Sequence, residues 1–279
     1  MTEHSYNNFL QKLPNIHLIY STADLPQFSE QAITRQIQSV ASPQKPEVNI
    51  TWEMMALNQV LGRIQFDTHE IRIAGLGQPL SPQVVDRTIL ASQWQPQIKA
   101  AMRQHQSHLS LVYAGQSHDP IEKMIALYRV ARAFNHENLL GIVNENAWTA
   151  HPVADTLSPE QITSYKENLP FALWMGYIKI YTDPEHFWWV TKGHHLFDVP
   201  DLAYFVHPGE DETAILTTFI NIFYYIFEQD VFVTAGDTLA IQQTGQTMRF
   251  TEVTELEDFL MGPSGTLVIE NIDPDQVSP

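Results

Sequence analysis

The spacing of apolar residues along the chain predicts an alternation of short strands and amphipathic helices. Residues 15–20 (NIHLIY) read as a strand. Asp24 is placed to cap a helix whose apolar positions Phe28, Ala32, Ile33, Ile37 and Val40 share one face. Two prolines in 42–46 end it. Residues 48–55 predict a strand, and 63–74 two strand pieces broken near Asp67-Thr68-His69. A helical region follows from Ser81 or Pro82 to about His105, kinked at Pro96, then a strand at 109–114. Asp119 and Pro120 open a helix with Ile121, Met124, Ile125, Leu127, Tyr128 and Ala131 apolar.

The second half repeats that order. Residues 139–143 predict a strand, and Ser158-Pro159-Glu160 a helix start. Residues 171–181 and 187–193 predict a hairpin turned at Asp183-Pro184. Residues 212–229 are apolar almost all round and predict a buried helix. Two short strands, 238–242 and 247–251, flank a Thr244-Gly245 turn. The expected fold class is therefore α+β: two tandem ferredoxin-like (βαββαβ) units packed together. The expected organisation is an N-terminal unit at 1–118, a bridging helix at 119–137, and a C-terminal unit at 138–279 ending in an acidic, loose tail from 273. The groove between the halves would be the default ligand pocket.

Composition narrows the function classes. The 279 residues hold no cysteine, which excludes disulfides, thiol catalysis and Cys-ligated metal, and suits a reducing, cytoplasmic location. Residues 1–10 carry no Lys or Arg and no apolar run follows them, which argues against a Sec-type leader. The most apolar stretch, 215–227, is shorter than the roughly 20 residues a bilayer needs, so a soluble protein without a membrane span is expected. With 15 Lys+Arg against 32 Asp+Glu, the net charge is −17. It is lopsided: residues 193–279 hold one basic residue, Arg249, against 15 acids. Such a surface repels phosphate backbones and excludes nucleic acid, while offering a face to a basic protein.

Several stretches in order resemble a bacterial family, the domain-of-unknown-function family numbered 4261. They are Asn138–Val143 with Ala147-Trp148 and His151-Pro152, then Leu173–Ile178, Thr191-Lys192-Gly193, Phe197–Leu202 and Gly236-Asp237-Thr238. Asp198 stands where that family commonly has Gly. The resemblance implies a bacterial α+β protein and carries no catalytic residues.

Catalytic candidates are His194 and His195, with Asp198 and Asp201 nearby, and the pair Glu145 and His151 flanking Trp148. Neighbours on a strand point to opposite faces, so His194 and His195 serve one centre only if the strand has ended there. His105 and His108 read as structural groups at a helix-to-strand junction. Trp188 and Trp189 alternate on a strand, so one packs inward and the other outward; the ligand-stacking candidates are Trp148, Trp189 and Tyr225. There is no HExxH, no phosphate-loop pattern and no metal or cofactor signature. The sequence therefore favours a non-catalytic module binding a basic protein or a small molecule. The alternative is a metal- or His/carboxylate-dependent enzyme centred on 194–201 and Glu145/His151.

Overall fold

The computed structural model describes residues 13–40, 45–153, 156–241 and 246–272. The predicted loose tail from 273, the Thr244-Gly245 turn and the N-terminal segment 1–10 lie outside the described residues. The chain divides into two compact units, Met1–Trp174 and Met175–Pro279.

The first unit is built on seven antiparallel strands: β1 (Asn15–Tyr20), β2 (Val48–Ala56), β3 (Gln59–Phe66), β4 (His69–Leu76), β5 (Ser107–Tyr113), β6 (Leu139–Asn144) and β7 (Thr149–Pro152). Their order across the sheet is β2-β3-β4-β5-β1-β6-β7. Helix α1 (Glu30–Ser39) carries the chain from β1 to the far edge, and a meander brings it back to pair β5 beside β1. Pro82–Val85 (α2), a π-helical turn at Asp86–Leu90 and α3 (Pro96–Arg103) fill the region read as one kinked helix. Helix α4 (Pro120–Ala133) then crosses to β6. Two short helices, α5 (Pro159–Ser164) and α6 (Phe171–Trp174), close the unit.

Period-2 alternation sorts β1 between two layers. Ile16, Leu18 and Tyr20 share a face with Leu109, Leu111, Ile71 and Ile73, and all are buried. The α1–α4 pair covers this face: the Tyr20 hydroxyl donates to the Phe134 carbonyl at 3.0 Å, and Arg129 lies 4.9 Å over the Phe66 ring. Ile19 points the other way and packs with Val143, Ala150, Leu80, Ile89 and Met102. The Asp119 carboxylate accepts from the backbone N–H groups of Ile121 and Glu122, as the sequence predicts. Asp119→Ala should cost about 1 kcal/mol in urea unfolding, the usual loss when a cap is removed.

The second unit holds six strands in the order β11-β12-β13-β10-β9-β8. They are β8 (Gly176–Tyr181), β9 (Phe187–Lys192), β10 (Asp201–Val206), β11 (Thr238–Ile241), β12 (Gln246–Glu252) and β13 (Thr266–Ile272). Among the described residues of this unit, only β10 and β13 pair in parallel. Helix α7 (Glu212–Gln229) packs on one face through Phe219, Ile222, Phe223 and Ile226, and α8 (Glu257–Leu260) is a single turn. Helix α7 is not buried all round: Tyr225 on its outer side is exposed. Among the described residues, no helix is long and apolar enough to cross a membrane.

Two ferredoxin-like units are therefore not what the chain forms. That fold is a four-stranded sheet made once per unit, whereas here one unit carries a seven-stranded sheet and the other a six-stranded, mostly antiparallel one. The helix expected to bridge two halves at 119–137 is a layer of the first unit, and β6 and β7, grouped by sequence with 138–279, belong to that unit's sheet. Residues 171–174 are helical where a strand was predicted.

Candidate functional site

The constellation at 192–201 is organised by two left-handed residues. Gly193 (φ +100°) ends β9 and starts a 3₁₀ turn, His194–Phe197, which Asp198 (φ +58°) terminates. Asp tolerates this backbone better than most residues, so it fills a position suited to Gly. The turn buries both histidines and leaves Asp198 exposed. His194 is held by the Pro200 carbonyl, 3.1 Å from Nδ1, and its ring lies 5.0 Å from that of Phe223. Burial lowers its pKa to about 4, so the ring is neutral.

Asp201 is 1% exposed and accepts the His194 backbone N–H at 3.2 Å. Burial raises its pKa, against the nearby Lys192 ammonium and the hydrogen bonds from His194 and Thr191. Lys192 is 2% exposed and donates to the carbonyls of Leu260 (2.8 Å) and Met261 (3.0 Å). Gly262 leaves no space above the pair, because a Cβ there would sit 2.0 Å from Asp201 Oδ2. These are sealed groups. They tie β9 and β10 to the segment after α8, and no face of them is open to a substrate.

Glu145 and His151, both on the β6–β7 hairpin, are parted by alternation. His151 pairs with Ile142 on the face of β6 opposite Val143, and it packs edge-on to Trp94 at 5.8 Å. Burial lowers its pKa to about 4 despite a hydrogen bond to the Ala172 backbone. Glu145 lies on the other side, with Oε2 3.6 Å from Nε2 of His17. His17 Nδ1 in turn meets Ser110 Oγ at 2.8 Å. Sequence reasoning missed both His17 and Ser110. Trp148 ends the turn with φ +53°, a costly backbone for an aromatic residue, and carries Arg87 5.3 Å over its ring. His105 and His108 are structural, as expected. His105 joins the Met102 carbonyl to the Leu80 N–H, and His108 bonds the Gln78 carbonyl. Burial keeps both below the usual histidine range.

No family model, curated protein or solved structure matches this chain. The resemblance to family 4261 therefore lends nothing to the functional argument, which rests on local geometry. Among the described residues, no group of three or more His, Asp or Glu is placed to hold a metal ion.

The aromatic candidates divide. Trp189 is buried against Phe219, with Lys179 5.2 Å over its ring, so it stacks within the fold. Trp188 is buried as well; its indole N–H donates to Glu255 Oε1 at 2.9 Å. That bond anchors one end of a segment the sequence reading passed over. Within 252–261, Leu256, Phe259 and Met261 are 37%, 51% and 47% exposed, interleaved with exposed Glu252, Glu255, Glu257 and Asp258. Leu256 adopts φ +50°, and Leu260 turns inward. The far end is fixed by Lys192, and by the Thr266 hydroxyl donating to the Leu260 carbonyl at 2.8 Å. The sealed cluster is thus the footing of a presented apolar and acidic surface.

Proposed function

We propose that the second unit is a non-catalytic docking module for a basic protein segment. The observation that carries this is the pinned 252–261 segment, in which three large apolar side chains stand exposed among four carboxylates. Its unit holds three basic residues, Lys179, Lys192 and Arg249, against 17 acids. Lys192 is buried and Lys179 pairs with Glu212 at 2.6 Å, so little positive charge on this unit offsets the acids. An amphipathic partner would place apolar side chains on Leu256, Phe259 and Met261 while its Lys or Arg residues meet the rim. The apolar anchors supply most of the affinity, and the carboxylates supply orientation and encounter rate.

The test uses a labelled amphipathic Leu/Lys helical peptide, with a Leu/Glu peptide of equal length as control, titrated against the full chain by fluorescence anisotropy. The Leu/Lys peptide should bind and the control should not. Affinity should fall about tenfold or more between low and high salt, because exposed pairs are screened. Phe259→Ser should cost about 1–2 kcal/mol of binding, as loss of an apolar anchor does. Binding unmoved by salt, or equal in the Phe259→Ser variant, refutes the reading.

A further inference from the structure

We propose that Ser110, His17 and Glu145 form a nucleophile–base–carboxylate relay in the first unit, able to hydrolyse a carboxylic ester. The inference is independent of the docking module, which lies in the other unit.

The relay is built by sheet register. His17 on β1 stands directly opposite Ser110 on β5 and, on its other side, opposite Val143 on β6. Glu145 lies two residues beyond Val143 and so returns to the same face. Three groups distant in sequence are thereby set side by side across neighbouring strands. The Ser110 Oγ to His17 Nδ1 distance of 2.8 Å is that of a made hydrogen bond. His17 Nε2 is buried, and its carboxylate neighbour Glu145 lies at 3.6 Å.

Charge assigns the tautomer. The His17 ring beside it, aided by Arg87, holds Glu145 below the usual carboxylate range, so it is ionised near neutral pH. An anion at Nε2 keeps the proton on that nitrogen and leaves the Nδ1 lone pair facing the Ser110 hydroxyl. Nucleophile, base and orienting group then stand in sequence. His108 touches the His17 ring edge-on at 6.2 Å, and burial keeps it neutral, so no second imidazolium opposes the charge His17 gains. The His17 side chain is 13% exposed and that of Glu145 37%, so the relay opens on the Glu145 side, beside Arg87 and Trp148.

In the first step Ser110 Oγ bonds the acyl carbon and its proton moves to His17 Nδ1. The ester C–O bond breaks and the departing alcohol takes that proton. Water then attacks the acyl-serine, giving one proton to His17. Release of the acid returns a proton to Ser110 Oγ. The sum is ester plus water to acid plus alcohol, with no further reactant.

The experiment treats the full chain with a fluorophosphonate probe, maps the adduct by mass spectrometry, and follows p-nitrophenyl acetate hydrolysis across pH. Labelling should fall on Ser110 and vanish in Ser110→Ala. His17→Gln should slow both readouts by about 100-fold or more, the usual weight of a general base. Glu145→Gln is the positioning test. Without the carboxylate to hold the ring, both readouts should slow by about tenfold or more, and Glu145→Asp, which restores the charge, should recover part of that loss. Circular dichroism identifies any variant that fails to fold, and Ser110→Ala removes too little to disturb the sheet. No adduct at Ser110, or ester hydrolysis equal in wild type and Ser110→Ala, overturns the proposal and leaves the Ser110–His17 bond a structural one.

Discussion

Lys192→Met should destabilise the second unit by about 3–5 kcal/mol, the range seen when one partner of a buried charge pair is removed. The side chains are similar in length, so the loss is electrostatic rather than a cavity. Two carbonyls, those of Leu260 and Met261, lose their donor, and Asp201 is left buried without its cation. The pH dependence gives the mechanism. Burial already raises the Asp201 pKa in the folded state above its unfolded value, so its stabilising contribution is complete below about pH 4 and is lost as pH rises through the folded pKa. Removing Lys192 raises the folded pKa further. The variant should therefore lose more at pH 8 than at pH 5, and a second change, Asp201→Asn, should recover part of the loss. Urea unfolding with hydrogen exchange read at 255–263 checks both. A pH-independent loss would mean that Asp201 is not the group stranded.

The same cluster shows where sequence reasoning ends. His194, Asp198 and Asp201 are visible as a knot of chemistry, but burial is not written in the knot. It follows from Gly193 and Asp198 turning the chain inward and from α7 covering it with Phe223. Elements with strong local signals were legible, such as β1 with its apolar alternation and α4 with Asp119 and Pro120 at its start. Pairing was not. Strand β7 has only four residues, β10 (DLAYFV) and β13 (TLVIENI) lack a clean apolar–polar alternation, and alternation does not say which edge a strand joins. That is why β5 and β6, which flank β1, were read as parts of separate halves. Glu145 was legible beside Trp148, but its partners were not, because Ser110 lies 93 residues from His17 and only register joins them. The presented segment carried its own signal in Glu255-Leu256-Glu257-Asp258-Phe259-Leu260, where Leu256, Phe259 and Leu260 have helical spacing for a single turn set among acids.

The first unit should lose stability in mild acid, and His151 should account for much of the loss. Its folded pKa is about 4, against an ordinary 6.5, because burial penalises the imidazolium. A depressed folded pKa means that its contribution is complete above pH 6.5 and is lost as pH falls through about 4. Integrated over that window the difference amounts to about 3 kcal/mol. His69, His105 and His108 are lowered by burial too, so their contributions carry the same sign. Glu145 loses its contribution only below the ordinary carboxylate range, because its pKa is depressed from 4.5. Between pH 6.5 and 4.5 the slope therefore belongs to histidines, and His151, with Nε2 buried and unpartnered, is the largest of them. His151→Gln removes the titrating group and keeps a polar side chain for the Ala172 backbone. Urea midpoints of the first unit, followed between pH 7.5 and 4.5, should fall less steeply in the variant than in the wild type. Equal slopes would show that the ring takes up its proton without cost, and that the site is wetter than its packing against Trp94 implies.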